Sequence, residues 1–301
     1  MEQSLQGLTT PGAPTFLLDP AMRKSLTAST MLAPSLLLIV LVLIMPLGLL
    51  MRYSFNAFVP GQFMVDALTP ANYLQVFTDP YYRGILVTTI LMACGVTICC
   101  LVIGFPIAQF LARTSSRYKS LMILSVIMPL FVGNAVRAAG WMVAFGEKGL
   151  VNKGLEWVGI THAPLEMMYT TPAVFIGIVS INLSFVILTL QSVLEGLNPS
   201  VEEASLSLGA TPFHTWRLVT LPLAMPGIAA AAILCTILAM NAYATPVLLG
   251  GPSFKMMAPA VADQILVQNN WPMGASLSFV LIATTVILTV AMYGYLRKKT
   301  V

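Results

Sequence analysis

Six apolar runs, at residues 31–51, 84–112, 120–145, 171–194, 223–249 and 274–296, dictate what this chain can become. Each is long enough to cross about 30 Å of hydrocarbon at about 1.5 Å of helix rise per residue. Only 9% of the 301 residues are charged, against roughly 25% in soluble domains, so the chain cannot cover itself with polar surface. The expected fold class is therefore all-α and integral to a membrane, with six transmembrane helices. Residues 1–28 are mixed and contain Pro and Gly, and the apolar run behind them is too long for a signal-peptide core. They read as a tail ahead of a retained first span. Cys94, Cys99, Cys100 and Cys235 all fall inside apolar runs, away from histidine and carboxylate partners, and read as small core residues.

Basic residues set the expected orientation. Arg23, Lys24, Arg113, Arg117, Lys119, Arg217, Arg297, Lys298 and Lys299 fall on one side, nine in all, against five on the other: Arg52, Arg83, Lys148, Lys153 and Lys255. The richer side is the cytoplasm, which places both termini inside. On the outer side, Thr69 reads as an N-cap with Pro70 at the first helical position, and Val261, Ile265 and Leu266 have helical spacing before Asn269 and Asn270.

Between the fourth and fifth runs lies a polar, amphipathic stretch on the cytoplasmic side, Glu202 to Pro222. Ser200 and Glu203 have the spacing of a capping box. Val201, Ala204, Ser205 and Leu208 follow as an i, i+3, i+4, i+7 stripe. Gly209 stands where a helix stops through the left-handed region, and Thr211 with Pro212 starts another that Pro222 closes. A lipid-surface helix is usually rich in Lys and Arg, whereas this one begins with Glu202 and Glu203. Its acidic start favours a protein partner.

Glu203, Ala204 and Ser205, then Gly209, then Val219, Leu221 and Pro222 resemble the EAA signature of inner-membrane permease subunits of binding-protein-dependent ABC importers. Ser205 for alanine and Val219 for isoleucine are the departures, with every spacing intact. The resemblance implies a type-1 importer transmembrane domain over 84–296 whose loop at 200–222 is the helix that couples to a cytoplasmic ATPase. It leaves 29–83 as an added first span with its periplasmic loop and 297–301 as a cytoplasmic tail. The stretches "VRAAGWMVAFGEKGLVN", "NAYATPVLLGG" and "NNWPMGASLS" resemble the spermidine/putrescine permease branch, whose relatives also handle opines and phosphonates.

The implied assembly contains an ATPase dimer, a second permease that is a homologue, a periplasmic solute-binding protein and surrounding lipid, in the inner membrane and without nucleic acid. This chain is expected to catalyse nothing and to bind no cofactor, ATP and magnesium belonging to the ATPase. No GxxxxGK[ST] is present. A membrane enzyme is disfavoured because His162 and His214 fall on opposite sides and no acidic pair lies in a span. An ion channel would leave the coupling element without a purpose. The solute expected is a polyamine, with an opine or aminoalkylphosphonate as the alternative.

Polar groups within the runs are the solute-contact candidates: Asn134, Trp141, Asn182, Gln191, Asn241 and Tyr243. Arg137 is the one charged residue inside a run. Lying 17 residues beyond Ser120, or about 26 Å along a straight helix, it is expected at the outer surface, snorkelling. The runs contain no Asp or Glu in the membrane core, which sits uneasily with a polycationic solute.

Overall fold

The computed structural model describes residues 32–297 apart from positions 63, 162 and 253. The expected tail at 1–28 with Arg23 and Lys24, His162, and Lys298 and Lys299 of the C-terminal tail lie outside the described residues. The chain divides into two compact units, residues 1–52 and 53–301. Helix α1, Leu32–Ser54, dominates the first. Its apolar side chains are exposed all round, as suits a helix solvated by lipid.

The described residues of the second unit form helices joined by loops, with one antiparallel bridge between Ala57 and Val65. In order it contains α2 (Ala71–Thr78), α3 (Pro80–Arg113), α4 (Lys119–Ile127), α5 (Asn134–Phe145), α6 (Leu150–Trp157) and α7 (Thr171–Gly196). After these come α8 (Pro199–Ser207), α9 (Pro212–Leu223), α10 (Met225–Met240), α11 (Ala244–Gly250), α12 (Met257–Val267) and α13 (Trp271–Arg297).

Three helices here, α3, α7 and α13, are long and apolar enough to cross a bilayer unaided. They start where the chain supplies a cap. The Asp79 carboxylate accepts the Tyr81 amide at 2.8 Å ahead of Pro80, and the Thr170 hydroxyl accepts from Ala173 ahead of Pro172. Thr69 accepts the Ala71 amide as anticipated, but Pro70 lies just outside α2. Inside the spans, hydroxyls turn back on their own helices: Thr89 to Ile85, Thr189 to Phe185, Thr284 to Val280 and Thr285 to Leu281, at 2.7 to 2.8 Å. A polar atom facing hydrocarbon is otherwise costly.

The core forms where α3, α7 and α10 pack on one another, with α13 against α10. Val96, Cys100, Val186, Leu190, Ala231 and Cys235 are fully buried there. Thr97 and Thr236 share a hydrogen bond at 3.0 Å inside it. All four cysteines are free thiols, as the sequence suggested.

Two of the six runs are not single helices. The third bends by 99° between Phe131 and Asn134, so α4 with its 3-10 extension and α5 are two arms. Pro129 and Gly133 are the physical cause, one removing a backbone donor and the other adding freedom. The fifth is a helix only to Met240. Residues 241–243 are non-helical, and α11 follows as a separate piece. At its other end, α9 and α10 bend by 67° at Ala224.

Close packing makes a prediction. A Cβ on Gly227 would lie 2.5 Å from Val193 Cγ1, whereas one on Gly84 meets nothing within 4 Å. Gly227→Ala is expected to destabilise the detergent-solubilised chain by about 1–3 kcal/mol, read as a lowered thermal midpoint. Gly84→Ala is expected to leave the midpoint unchanged or slightly raised.

Candidate functional site: a polar cavity and a capped helical element

The helix breaks shape the interior. Leu130, Asn134 and Arg137 beside the first break, Ile178, Asn182 and Phe185 of α7, and Asn241, Tyr243 and Thr245 at the second line one cavity of about 740 Å³. That volume suits a small organic solute. Four of the six candidates are thus brought together: Asn134, Asn182, Asn241 and Tyr243. Trp141 is not among them. Its indole N–H donates to Ser180 Oγ at 2.8 Å and its ring stacks on Phe145 at 4.8 Å, tying α5 to α7. Gln191 is buried farther along α7 and donates to Glu195 Oε1 at 3.2 Å.

Arg137 corrects the straight-helix estimate. With the third run broken, its guanidinium turns back: Nη2 donates to the carbonyl of Pro129 and, at 2.9 Å, to that of Val132. It closes the carbonyl end of the first arm and lines the cavity. Its Nε and Nη1 are buried without a partner, as is Nδ2 of Asn182, a residue only 1% exposed.

The capped element is built differently from the expectation at both of its ends. Asn198, not Ser200, is the N-cap of α8, accepting the Ser200 amide at 3.1 Å, because Pro199 occupies the first helical position. The stripe faces outward: Val201, Ala204 and Leu208 are exposed, Leu208 by 89%. Nor does Pro222 close α9. The helix widens to a π turn over Trp216–Thr220 before Pro222, whose missing N–H leaves the α-helical partner unmade, and it runs on to Leu223.

The expected turn is present. Gly209 has φ +89°, and Thr211 caps α9 by accepting the His214 amide at 3.3 Å. Ser205 is half-buried and bonds Thr215 at 3.0 Å, holding α8 to α9. Trp216 sits edge-on to Phe105 of α3 with ring centres 5.9 Å apart, and Phe213 stacks on Trp216 at 5.7 Å. Val219 and Leu221 are half-buried, while Glu203, Gly209 and Pro222 are exposed.

The two acids of α8 have opposite fates. Glu203 is exposed, but Glu202 turns inward, where its Oε1 accepts from Arg113 Nη2 at 2.9 Å and from Thr220 Oγ1 at 3.0 Å. Arg113 also donates through Nη1 to the Leu197 carbonyl at 3.3 Å. One carboxylate thus joins the end of α3, the start of α8 and the body of α9. Beside it, Lys119 pairs with Glu195 at 2.9 Å, tying α4 to α7. Sequence reading missed this tie. The available signal was that Arg113 and Glu202 are opposite charges assigned to one side of the membrane.

Residues 100–300 match the family described as the inner membrane component of binding-protein-dependent transport systems. The chain belongs to that family. This permease is 33% identical over 254 residues to the spermidine/putrescine transport system permease protein PotB of Haemophilus influenzae, covering 84% of this chain and 87% of that protein. PotB of Escherichia coli is 32% identical over 254 residues, covering 84% and 90%. Its fold is similar to that of a chain in the bacterial alginate ABC transporter in complex with an alginate pentasaccharide-bound periplasmic protein, with a TM-score of 0.75, 16% identity and coverage of 93% and 97%. It is a permease component of an ABC importer in the inner membrane.

Removing Glu202 strands a partly buried guanidinium and a hydroxyl, at a cost of about 1–3 kcal/mol. Glu202→Ala and Arg113→Ala are each expected to speed proteolysis within 197–222 in the solubilised permease. The swapped pair Arg113→Glu with Glu202→Arg is expected to recover most of the protection. Single variants as resistant as the wild type would show that the tie holds nothing.

Proposed function

We propose that this permease passes a small polar organic solute through the cavity between its two helix breaks, driven by an ATPase that seats on the capped element. The observation that carries the reading is the element's surface. Val201, Glu203, Leu208, Phe213 and Leu218 are all exposed on it, while Glu202 and Trp216 hold the element to the bundle. Exposed apolar surface of this kind on a polar element serves protein contact. Glu203, Ala204, Ser205, Gly209, Val219, Leu221 and Pro222 are assigned to coupling on this reading.

The remaining assembly is proposed with it. Both termini are cytoplasmic, the first span is an addition to a translocating domain at 84–296, and six spans result when each bent pair crosses once. The partners are two ATPase copies carrying ATP and magnesium, a homologous second permease, and a periplasmic binding protein that delivers the solute. The chain itself catalyses no reaction.

Two solute classes follow from different observations. The relatives named for spermidine and putrescine support a polyamine. The cavity supports a solute with an anionic group, such as an opine or an aminoalkylphosphonate, because Arg137 lines it and no carboxylate among the described residues does.

In a pull-down from membranes, the wild-type permease is expected to bring down a soluble ATPase, and Glu203→Lys or Gly209→Pro to abolish capture. Undiminished capture by both variants contradicts the coupling assignment. Uptake of labelled spermidine, octopine and 2-aminoethylphosphonate, with and without the gene, separates the solute classes.

A further inference from the structure

The cavity's lining includes amide and hydroxyl oxygens of Asn134, Asn182, Asn241, Tyr243 and Thr245, but its one charged side chain is Arg137 and the lining atoms buried without a partner are all nitrogens. Helix α5 begins at Asn134 behind Gly133, and no side chain caps it. Its first backbone N–H groups have no intrahelical acceptor, and the helix dipole adds partial positive charge at that end. Asn134, Ala135 and Arg137, all in its first turn or just beyond, line the cavity. Arg137 spends Nη2 on the carbonyls of Pro129 and Val132, which leaves Nε and Nη1 buried without an acceptor. Asn182 on α7 lines the same cavity, and its Nδ2 is likewise buried and unpartnered in a residue only 1% exposed.

The unpartnered nitrogens of Arg137 and Asn182 and the free N–H groups at the start of α5 are all donors. Burying a donor without an acceptor costs about 1–3 kcal/mol, so donors gathered from two helices around one cavity define the complementary ligand. It is an acceptor carrying negative charge: a carboxylate or a phosphonate. An ammonium group brings only further donors and meets a guanidinium of its own sign. We infer that this cavity holds the oxyanion of the transported solute, with Arg137, Asn182 and the N-terminus of α5 as its donors. The site rests on the importer reading for its place on the solute path. Its geometry stands independently.

The test is direct binding to the full chain in lipid nanodiscs, with 2-aminoethylphosphonate as the probe and its ³¹P resonance as the readout. Saturable broadening is expected with the wild type. Arg137→Gln and Asn182→Leu are each expected to weaken it at least tenfold, and Arg137→Lys by less. Excess spermidine is expected not to displace the probe. Displacement by acetate identifies a carboxylate site and displacement by inorganic phosphate a phosphonate site, either of which supports the inference. No saturable broadening, equal affinity in Arg137→Gln and Asn182→Leu, or displacement by spermidine overturns it. ATPase capture by the same preparations reports on folding and on the coupling assignment separately. Capture without probe binding removes the site alone, and probe binding without capture removes the coupling assignment alone.

Discussion

Hydrocarbon offers a backbone no hydrogen bonds, and that constraint orders the whole bundle. A span must satisfy its own N–H and C=O groups or place them where protein or a polar cavity does so. Helices α3, α7 and α13 take the first course, and their threonines follow by bonding the preceding turn. The third and fifth runs take the second. At the first break Arg137 supplies donors to the freed carbonyls of Pro129 and Val132. At the other, Asn241 Nδ2 donates to the Ile237 carbonyl at 2.8 Å. Both breaks open on the same cavity, the one proposed for the solute.

For the proposed docking element the problem is mechanical. A docking element has to present a surface to another protein and remain fixed to the helices it moves. Adjacent glutamates on α8 divide those tasks, Glu202 fastening to Arg113 and Thr220 and Glu203 facing outward. The ring contact of Trp216 with Phe105 adds a second attachment to α3. A push on α8 and α9 therefore reaches α3 through an ion pair and an aromatic contact, and α3 is packed along α7, which carries Asn182.

Much of this was legible in the sequence, for physical reasons that also explain the rest. Long apolar runs announce spans because hydrophobicity summed over twenty residues is a large signal. The Gly209 turn and the Thr211 cap are visible because each depends on one residue type with one conformational use. The breaks were hidden because hydropathy counts apolar character and not helical continuity. Pro129 and Gly133 hinted at the first, but "NAY" at 241–243 contains no strong breaker. Periodicity revealed that α8 has a small apolar stripe but not which way it turns, since a face reserved for a partner protein resembles a face reserved for the core. Ser200 was mistaken for the cap because Asn198 lies across a proline from the helix it begins. Long-range pairs such as Arg113 with Glu202 are invisible until the fold places them together.

The central claim is that Asn134 of α5, Asn182 of α7 and Asn241 in the break after α10 border one water-accessible cavity inside an otherwise apolar bundle. Its most direct measurement is the reactivity of single cysteines at these positions toward a small hydrophilic methanethiosulfonate, in permease whose four native cysteines are replaced and which sits in its native membrane. The account predicts labelling at all three, mutual protection by a reagent already bound at any one, and no reaction at Val102→Cys on the exposed apolar flank of α3. Three positions as inert as Val102→Cys would contradict it, for they would then face lipid or packed protein rather than a path for solute.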